Sequence, residues 1–252
     1  KLLPLEADTK KELEAVNQLA DALLKKDGVQ RTYLVLLQNN YELRPGGGFL
    51  GQYAIVKVKD GAVLSTFVED ANLLDQRILV KITPPYPLTR KLQLKRWKMR
   101  DSNFSPDFPT NAQKAEYFYR LAGGGQKFDG VIAINANVFD HALAITGPIT
   151  PAGYSTTFKA EDGALKLEEV VEKAYLGDDV AAELKQNRKA IMKVLAAEMV
   201  KHLATVDNIP KMIEFAHREL GEKNIMLYFK DAALQNIVAG VKWDGTVNTD
   251  WN

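Results

Sequence analysis

"RTYLVLLQNNYELRPGGGFLGQYAIVKVKDGAVLSTFVED", residues 31 to 70, decides the fold of this 252-residue chain. Thr32 to Gln38 is nearly all apolar and reads as a strand buried on both faces. "FLGQYAIVKVK" reads as a second strand, Asp60-Gly61 as a two-residue hairpin turn, and "AVLSTFVED" as the returning partner. Between the first two strands three glycines, Gly46 to Gly48, follow the Arg44-Pro45 pair. Two readings of that loop stand. It is a flexible crossover, or it is a cradle in which glycine amides turn inward on an anion and Arg44 adds a guanidinium fork. No Gly-Lys-Ser/Thr follows, so it is not a Walker loop. A strand rather than a helix follows, so it is not a dinucleotide fingerprint either.

Working outward, residues 8 to 26 read as an amphipathic helix, with Leu13, Val16, Leu19, Ala20 and Leu23 at helical spacing. Residues 83 to 110 hold five of the ten prolines and read as loop with short helices. A helix follows to Gly123, then a strand over 128–135 and a helix over 137–146 stopped by Gly147-Pro148. A long helical pattern runs from Leu167 to Ala204, broken near 176–179, and a further helix covers 208–220. "NIMLYFK" reads as a strand, and Asp231 caps the last helix. Strands and helices interleave with no linker. These features predict a single three-layer α/β domain with a mixed β-sheet and helices on both faces, spanning 29–252 after the helix of residues 1–28.

Composition narrows the function classes. Net charge is +1, so no global field recruits nucleic acid or an acidic surface, and an anionic partner must be met by a local patch. The absence of cysteine excludes disulfides, thiolate zinc sites and cysteine nucleophiles. No apolar run approaches the roughly 18 residues that span a membrane. The chain opens at Lys1 without a methionine, which reads as a trimmed start, so the missing export signal says nothing of compartment. The three histidines are far apart and form no metal spacing, and no Gly-x-Ser-x-Gly elbow is present. The aromatic residues form no nucleic-acid stacking pattern.

Two further stretches carry candidate chemistry. "RKLQLKRWKMRDSNFSPDFP", residues 90 to 109, places six basic residues between Arg90 and Arg100 with no acid, followed by Asp101, Asn103 and Asp107. Such a set can hold a phosphate-rich substrate through a divalent cation, or it is a solvated basic face followed by turn aspartates. "KQNRK", 185 to 189, puts Arg188 on the apolar stripe of a helix, four residues after Leu184 and three before Ile191. A charge there needs a partner or a ligand, unless its stem covers apolar surface while its head reaches water.

"YLVLLQNNYELRPGGGFLGQYAIVKVKDG", "MRDSNFSPDFPTNAQKAEYFY", "FDGVIAINANVFDHALAITGPI" and "IMLYFKDAALQ" resemble, in this order, the bacterial domain of unknown function 4012 family. That resemblance implies an extracytoplasmic domain on a membrane anchor that precedes residues 1–28. More distantly, the order of elements is similar to the LytR-CpsA-Psr domain, whose members move glycopolymers from a polyprenyl pyrophosphate lipid onto the cell wall with magnesium and several arginines. The likeness implies a LytR-CpsA-Psr-like fold at the outer face of the bacterial cell membrane or in the envelope. It also implies a polyprenyl (pyro)phosphate-linked glycan as ligand, with phosphotransferase or pyrophosphatase chemistry as the activity. Arg188 matches the second arginine of an Arg-x-x-Arg-Gln motif, where Lys185 replaces the first and Lys189 the glutamine. Asp70 matches the aspartate of a Pro-Arg-Asp motif in which Glu69 takes the arginine's place, and Arg44 falls where an Arg-Ser-Asp motif lies. The implied site has Arg44, Asp70, Asp101 and Arg188 in catalytic roles, and Gly46, Gly47, Gly48, Arg100, Lys185 and Lys189 on substrate. Asp70 and Asp101 would hold Mg2+. The alternative is a non-catalytic envelope module that binds surface polymer or another protein.

Overall fold

The computed structural model of the chain describes residues 3–176, 190–204 and 209–247. The chain gathers into two compact units, one made of residues 1–134 and 223–252, the other of residues 135–222.

The first unit holds the sheet. Helix α1 (Leu3–Leu23) is followed by β1 (Gln30–Arg44), β2 (Gly47–Lys59) and β3 (Ala62–Asp70). Then come α2 (Ala71–Arg77), α3 (Tyr86–Lys91), a kinked 3₁₀ segment (Met99–Phe104), α4 (Phe108–Leu121) and β4 (Gly130–Asn135). The strand order is β3-β2-β1-β4-β5, where β5 is Ile225–Phe229, and helix Ala232–Gly240 follows it. The sheet is mixed, with β1–β2, β2–β3 and β4–β5 antiparallel.

Both faces of β1 are buried: Leu34 and Leu36 on one, Tyr33 and Val35 on the other. A strand covered on both sides is the middle of a layered α/β fold, as its unbroken apolar run predicts. Leu34 sits opposite Ile55 and Leu36 opposite Tyr53, and these side chains pack with Leu74, Met99, Phe108 and Phe118 from the connecting segments. Fully burying each such leucine contributes about 2 kcal/mol. The Asp60-Gly61 turn is as predicted, since both residues have positive φ (52° and 77°), the requirement of a tight two-residue hairpin.

Two features depart from the sequence reading. Strand β1 runs on to Arg44, because irregularities after Leu37 and between Asn39 and Leu43 absorb the polar stretch and restore pairing. The glycine stretch is therefore a tight turn of Pro45 and Gly46, with Gly47 and Gly48 already in β2. No sequence pattern announces helix α2. Asp70 closes β3 and accepts the Asn72 N–H at 2.8 Å, which caps a helix whose apolar residues are too few to show periodicity. Helix α1 packs on the Ala232–Gly240 helix and buries Ala15 and Leu19.

The second unit is helical over its described residues: α5 (Asn137–Thr146), α6 (Gly163–Leu176), α7 (Ala190–Ala204) and α8 (Ile209–Gly221), which makes the Ala232–Gly240 helix α9. A bridge between Ile149 and Phe158 closes the α5–α6 connection. Leu143, Phe158, Ile191 and Leu195 form the core of this unit. Its fully buried Glu219 carboxylate lies 2.9 Å from His141 Nδ1 and 2.8 Å from Arg218 Nε, so that charge is internally matched. No described helix is long and apolar enough to cross a membrane.

Candidate functional site

Asp75 organises the site, and it lies one and a half turns beyond the Asp70 cap. Its side chain is fully buried. Oδ1 accepts the Met99 N–H at 2.7 Å, Oδ2 lies 3.0 Å from Arg100 Nε, and the backbone carbonyl accepts Lys98 Nζ at 2.6 Å. Residues 98 to 100 are thereby fastened to α2. Trp97 fastens the other flank: its N–H reaches Ile82 O at 2.8 Å and its Nε1 donates to Asp101 O at 2.8 Å. Its ring packs edge-on against Phe118, with centroids 5.5 Å apart.

The tip of the β1–β2 hairpin approaches from the opposite side. The Gly46 N–H donates to Asn103 O at 3.1 Å, and Asn103 Nδ2 returns a bond to Gly48 O at 2.5 Å. Asn111 holds the following turn, accepting from the Ser105 N–H at 3.0 Å and donating to Ser105 O at 2.7 Å. A Cβ on Gly46 would collide with Asn111 Nδ2 and lie 2.7 Å from Asn103 O. Glycine is required there because another backbone comes this close.

The two fastened segments enclose a cleft of about 470 Å³. Arg44, Lys95, Arg96, Lys98 and Arg100 supply its charge, Phe49, Leu92 and Leu94 its apolar wall, and Asp101 its single acid. The Arg44 guanidinium lies 5.1 Å from the Phe49 ring centroid and donates to Leu43 O at 3.0 Å. Its Nε is buried and makes no hydrogen bond among the described residues. Burial pushes the Asp101 carboxyl up, against the pull of Arg100 and Arg44. Burial pushes Asp75 up to about 6, although the Met99 N–H, Arg100 and Lys98 pull it back. A cleft with many cations and one acid of raised proton affinity can hold an anion and exchange a proton with it.

Of the residues picked from the sequence, the structure brings Arg44, Arg100 and Asp101 to this cleft. Asp70 is elsewhere, since its Oδ1 caps α2 and it does not line the cleft. The pairing of Asp70 with Asp101 at one metal is thus not a feature of the cleft. Among the described residues no three acidic or histidine side chains gather as a metal-binding group. The Gly46 amide is committed to Asn103, while Gly47 and Gly48 pair with Arg44 and Leu43 in the ladder. Lys185, Arg188 and Lys189 lie outside the described residues. Glu69 holds Arg77 at 2.6 and 2.9 Å and accepts from the Tyr53 hydroxyl. Burial pushes Glu69 up, but Arg77 and Tyr53 outweigh it and leave the carboxyl below its ordinary value. Sequence reasoning missed Asp75, Phe49 and Leu94, and it singled out only Arg100 from the basic run. The run itself was the signal for Lys95, Arg96 and Lys98. Asp75 left none, because its partners lie 23 to 25 residues away.

A layered α/β chain with a basic, half-apolar cleft at one hairpin end is the class that fold and site define. The chain belongs to the family described as "Protein of unknown function (DUF4012)", whose model matches residues 28–157, just over half its length. That stretch includes the whole cleft. No curated protein matches the chain. Among solved structures it is similar to Lin1025 of Listeria innocua, with 12% identity, 86% of this chain and 79% of that one covered, and a TM-score of 0.47. It is similar to TagV of B. subtilis, with 10% identity, 85% and 81% covered, and a TM-score of 0.46. TagU of B. subtilis matches with 11% identity, 88% and 100% covered, and a TM-score of 0.43.

Proposed function

We propose that this chain is the extracytoplasmic part of a membrane-anchored cell-envelope protein. In this reading it binds the pyrophosphate headgroup of a polyprenyl-linked glycan and passes the glycan to an envelope acceptor. The observation that carries the reading is the make-up of one cleft, where five cations face three apolar side chains. An inorganic anion would engage only the cations, whereas a phosphorylated lipid engages both walls. The resemblance to LytR-CpsA-Psr domains supports the reaction class.

In the proposed transfer an acceptor hydroxyl oxygen bonds to the glycan-bearing phosphorus. The bond from that phosphorus to the bridging oxygen breaks, and polyprenyl phosphate leaves. Asp101, whose burial raises its proton affinity, takes the acceptor proton. Arg44 and Arg100 oppose the charge that grows on the bridging oxygen. Asp101, the one carboxylate of the cleft, is the residue that would hold a Mg2+ ion, which would supply further positive charge to the phosphates. No step here depends on it.

Calorimetric titration tests the reading, with inorganic pyrophosphate beside geranyl pyrophosphate. Both should bind, the prenyl ligand at least about tenfold tighter because it removes apolar surface from water. Arg100→Ala should weaken both ligands, and Leu94→Ser only the prenyl one. Equal affinity for the two ligands, or undiminished binding in an Arg44→Ala/Arg100→Ala double variant, would refute it.

A further inference from the structure

Between Asp75 and Asp101 the chain carries eight lysines and arginines and no acid, although the whole protein has a net charge of only +1. Arg77 is paired with Glu69, and Lys98 and Arg100 are fastened to Asp75. Lys81, Arg90, Lys91, Lys95 and Arg96 are exposed, and none makes an ion pair among the described residues. The same segment exposes large apolar side chains: Leu79 at 84%, Tyr86 at 69%, Val80 and Leu92. It is not a loose loop. Ile78, Leu88 and Met99 are buried beneath it, the Trp97 N–H bonds Ile82 O at 2.8 Å, and the Leu94 N–H bonds Leu88 O at 3.3 Å. On α3, Tyr86 and Arg90 are one turn apart, on the side away from buried Leu88.

Exposed leucine, valine and tyrosine beside uncompensated cations is the composition of a surface that lies in a lipid interface. We infer that residues 79 to 96 form a docking surface for an anionic lipid bilayer. Leu79, Val80 and Tyr86 enter the boundary between headgroups and acyl chains, and Lys81, Arg90 and Lys91 meet lipid phosphates. A soluble polyanion would use the cations but would leave Leu79 and Tyr86 in water, so the apolar half of the surface selects the bilayer. Leu92, Lys95 and Arg96 belong to this segment and to the cleft lining alike, so docking brings the cleft mouth to the headgroup layer. That last consequence bears on the function proposed above; the docking itself is independent of it.

The test is co-sedimentation with vesicles that contain no polyprenyl phosphate, so its outcome is separate from headgroup binding in the cleft. The protein should sediment with equimolar phosphatidylglycerol and phosphatidylcholine, not with phosphatidylcholine alone, and the binding should weaken as salt rises. Replacing Lys81, Arg90 and Lys91 with glutamine should reduce partitioning roughly 100-fold, since each cation near an anionic surface contributes about fivefold. Leu79→Ser with Tyr86→Ser should reduce it about tenfold. All five positions are exposed, and unchanged thermal unfolding checks that the fold survives. Inorganic pyrophosphate at matched ionic strength should not compete. Equal binding to neutral vesicles would overturn the inference. So would displacement by heparin combined with indifference to the Leu79 and Tyr86 substitutions, which would mark a site for soluble polyanions.

Discussion

Asp75→Asn should make the protein more stable at neutral pH, although it removes an ion pair. The carboxyl is fully buried, and burial pushes it from 3.8 up to about 6. Its ionised form is then less stable in the folded chain than in the unfolded one by about 3 kcal/mol, the attraction of Arg100 already included. The sign follows from the protons. Between about pH 4 and pH 6 the folded chain keeps a proton on Asp75 that the unfolded chain has lost, so stability falls as pH rises through that window. Asparagine does not titrate. Its Oδ1 can still accept the Met99 N–H, but its amino group faces Arg100 Nε, donor against donor, at a cost of about 1 kcal/mol. The expected balance is a variant about 2 kcal/mol more stable than the parent at pH 7 and about 0.5 kcal/mol less stable at pH 4. In a domain of this size the neutral-pH difference is roughly 4–8 °C in melting temperature. Thermal unfolding followed by circular dichroism at the two pH values measures it. A variant that melts below the parent at both would show that the pair with Arg100 outweighs the burial of Asp75.

Gly46→Ala should destabilise by about 2–3 kcal/mol in urea unfolding, because its Cβ would collide with Asn111 Nδ2 and lie 2.7 Å from Asn103 O. Tyr53→Phe removes the hydroxyl donated to Glu69 and should cost about 1 kcal/mol at pH 7. Glu69 is held below its ordinary value in the fold, so its contribution is present above about pH 4.5 and lost as pH falls. The Tyr53→Phe loss should shrink in the same direction, which parallel melts at neutral and acid pH will register.

The parts of the fold that were legible are those enforced within a few residues. The Asp60-Gly61 turn needs two positive φ angles, and its sequence announces them. Asp231 caps the last helix by accepting the Leu234 N–H only three positions on, and the bounds of α5 follow from an apolar pattern ended by Gly147. What failed depends on partners remote in sequence. Asp70 ends β3 and Asp75 follows it five residues on, within α2. One caps a helix two residues away; the other binds backbone and side chains of residues 98 to 100. No local pattern separates the two, because the distinction is made by which side of a seven-residue helix meets the 3₁₀ segment.

The glycine triplet shows why a site residue and its support are easily exchanged in a sequence. Three glycines beside an arginine invite the reading that backbone amides bind the anion. In the fold the Gly46 amide binds Asn103 instead, and Asn103 Nδ2 binds the Gly48 carbonyl. A Cβ at Gly46 would intrude on Asn103 and Asn111, and a Cβ at Gly48 on the Asn39 carbonyl of the neighbouring strand. The missing side chain at Gly46 therefore lets residues 103 to 111 lie directly against the hairpin tip. That contact puts Arg100 and Asp101 beside Arg44, which is 56 residues earlier in the chain. Glycine acts on the cleft through proximity: it removes volume so that distant charges can share one cavity. A substitution at Gly46 should then disturb the cleft by displacing Arg44 from Asp101, even though the glycine itself need touch no ligand.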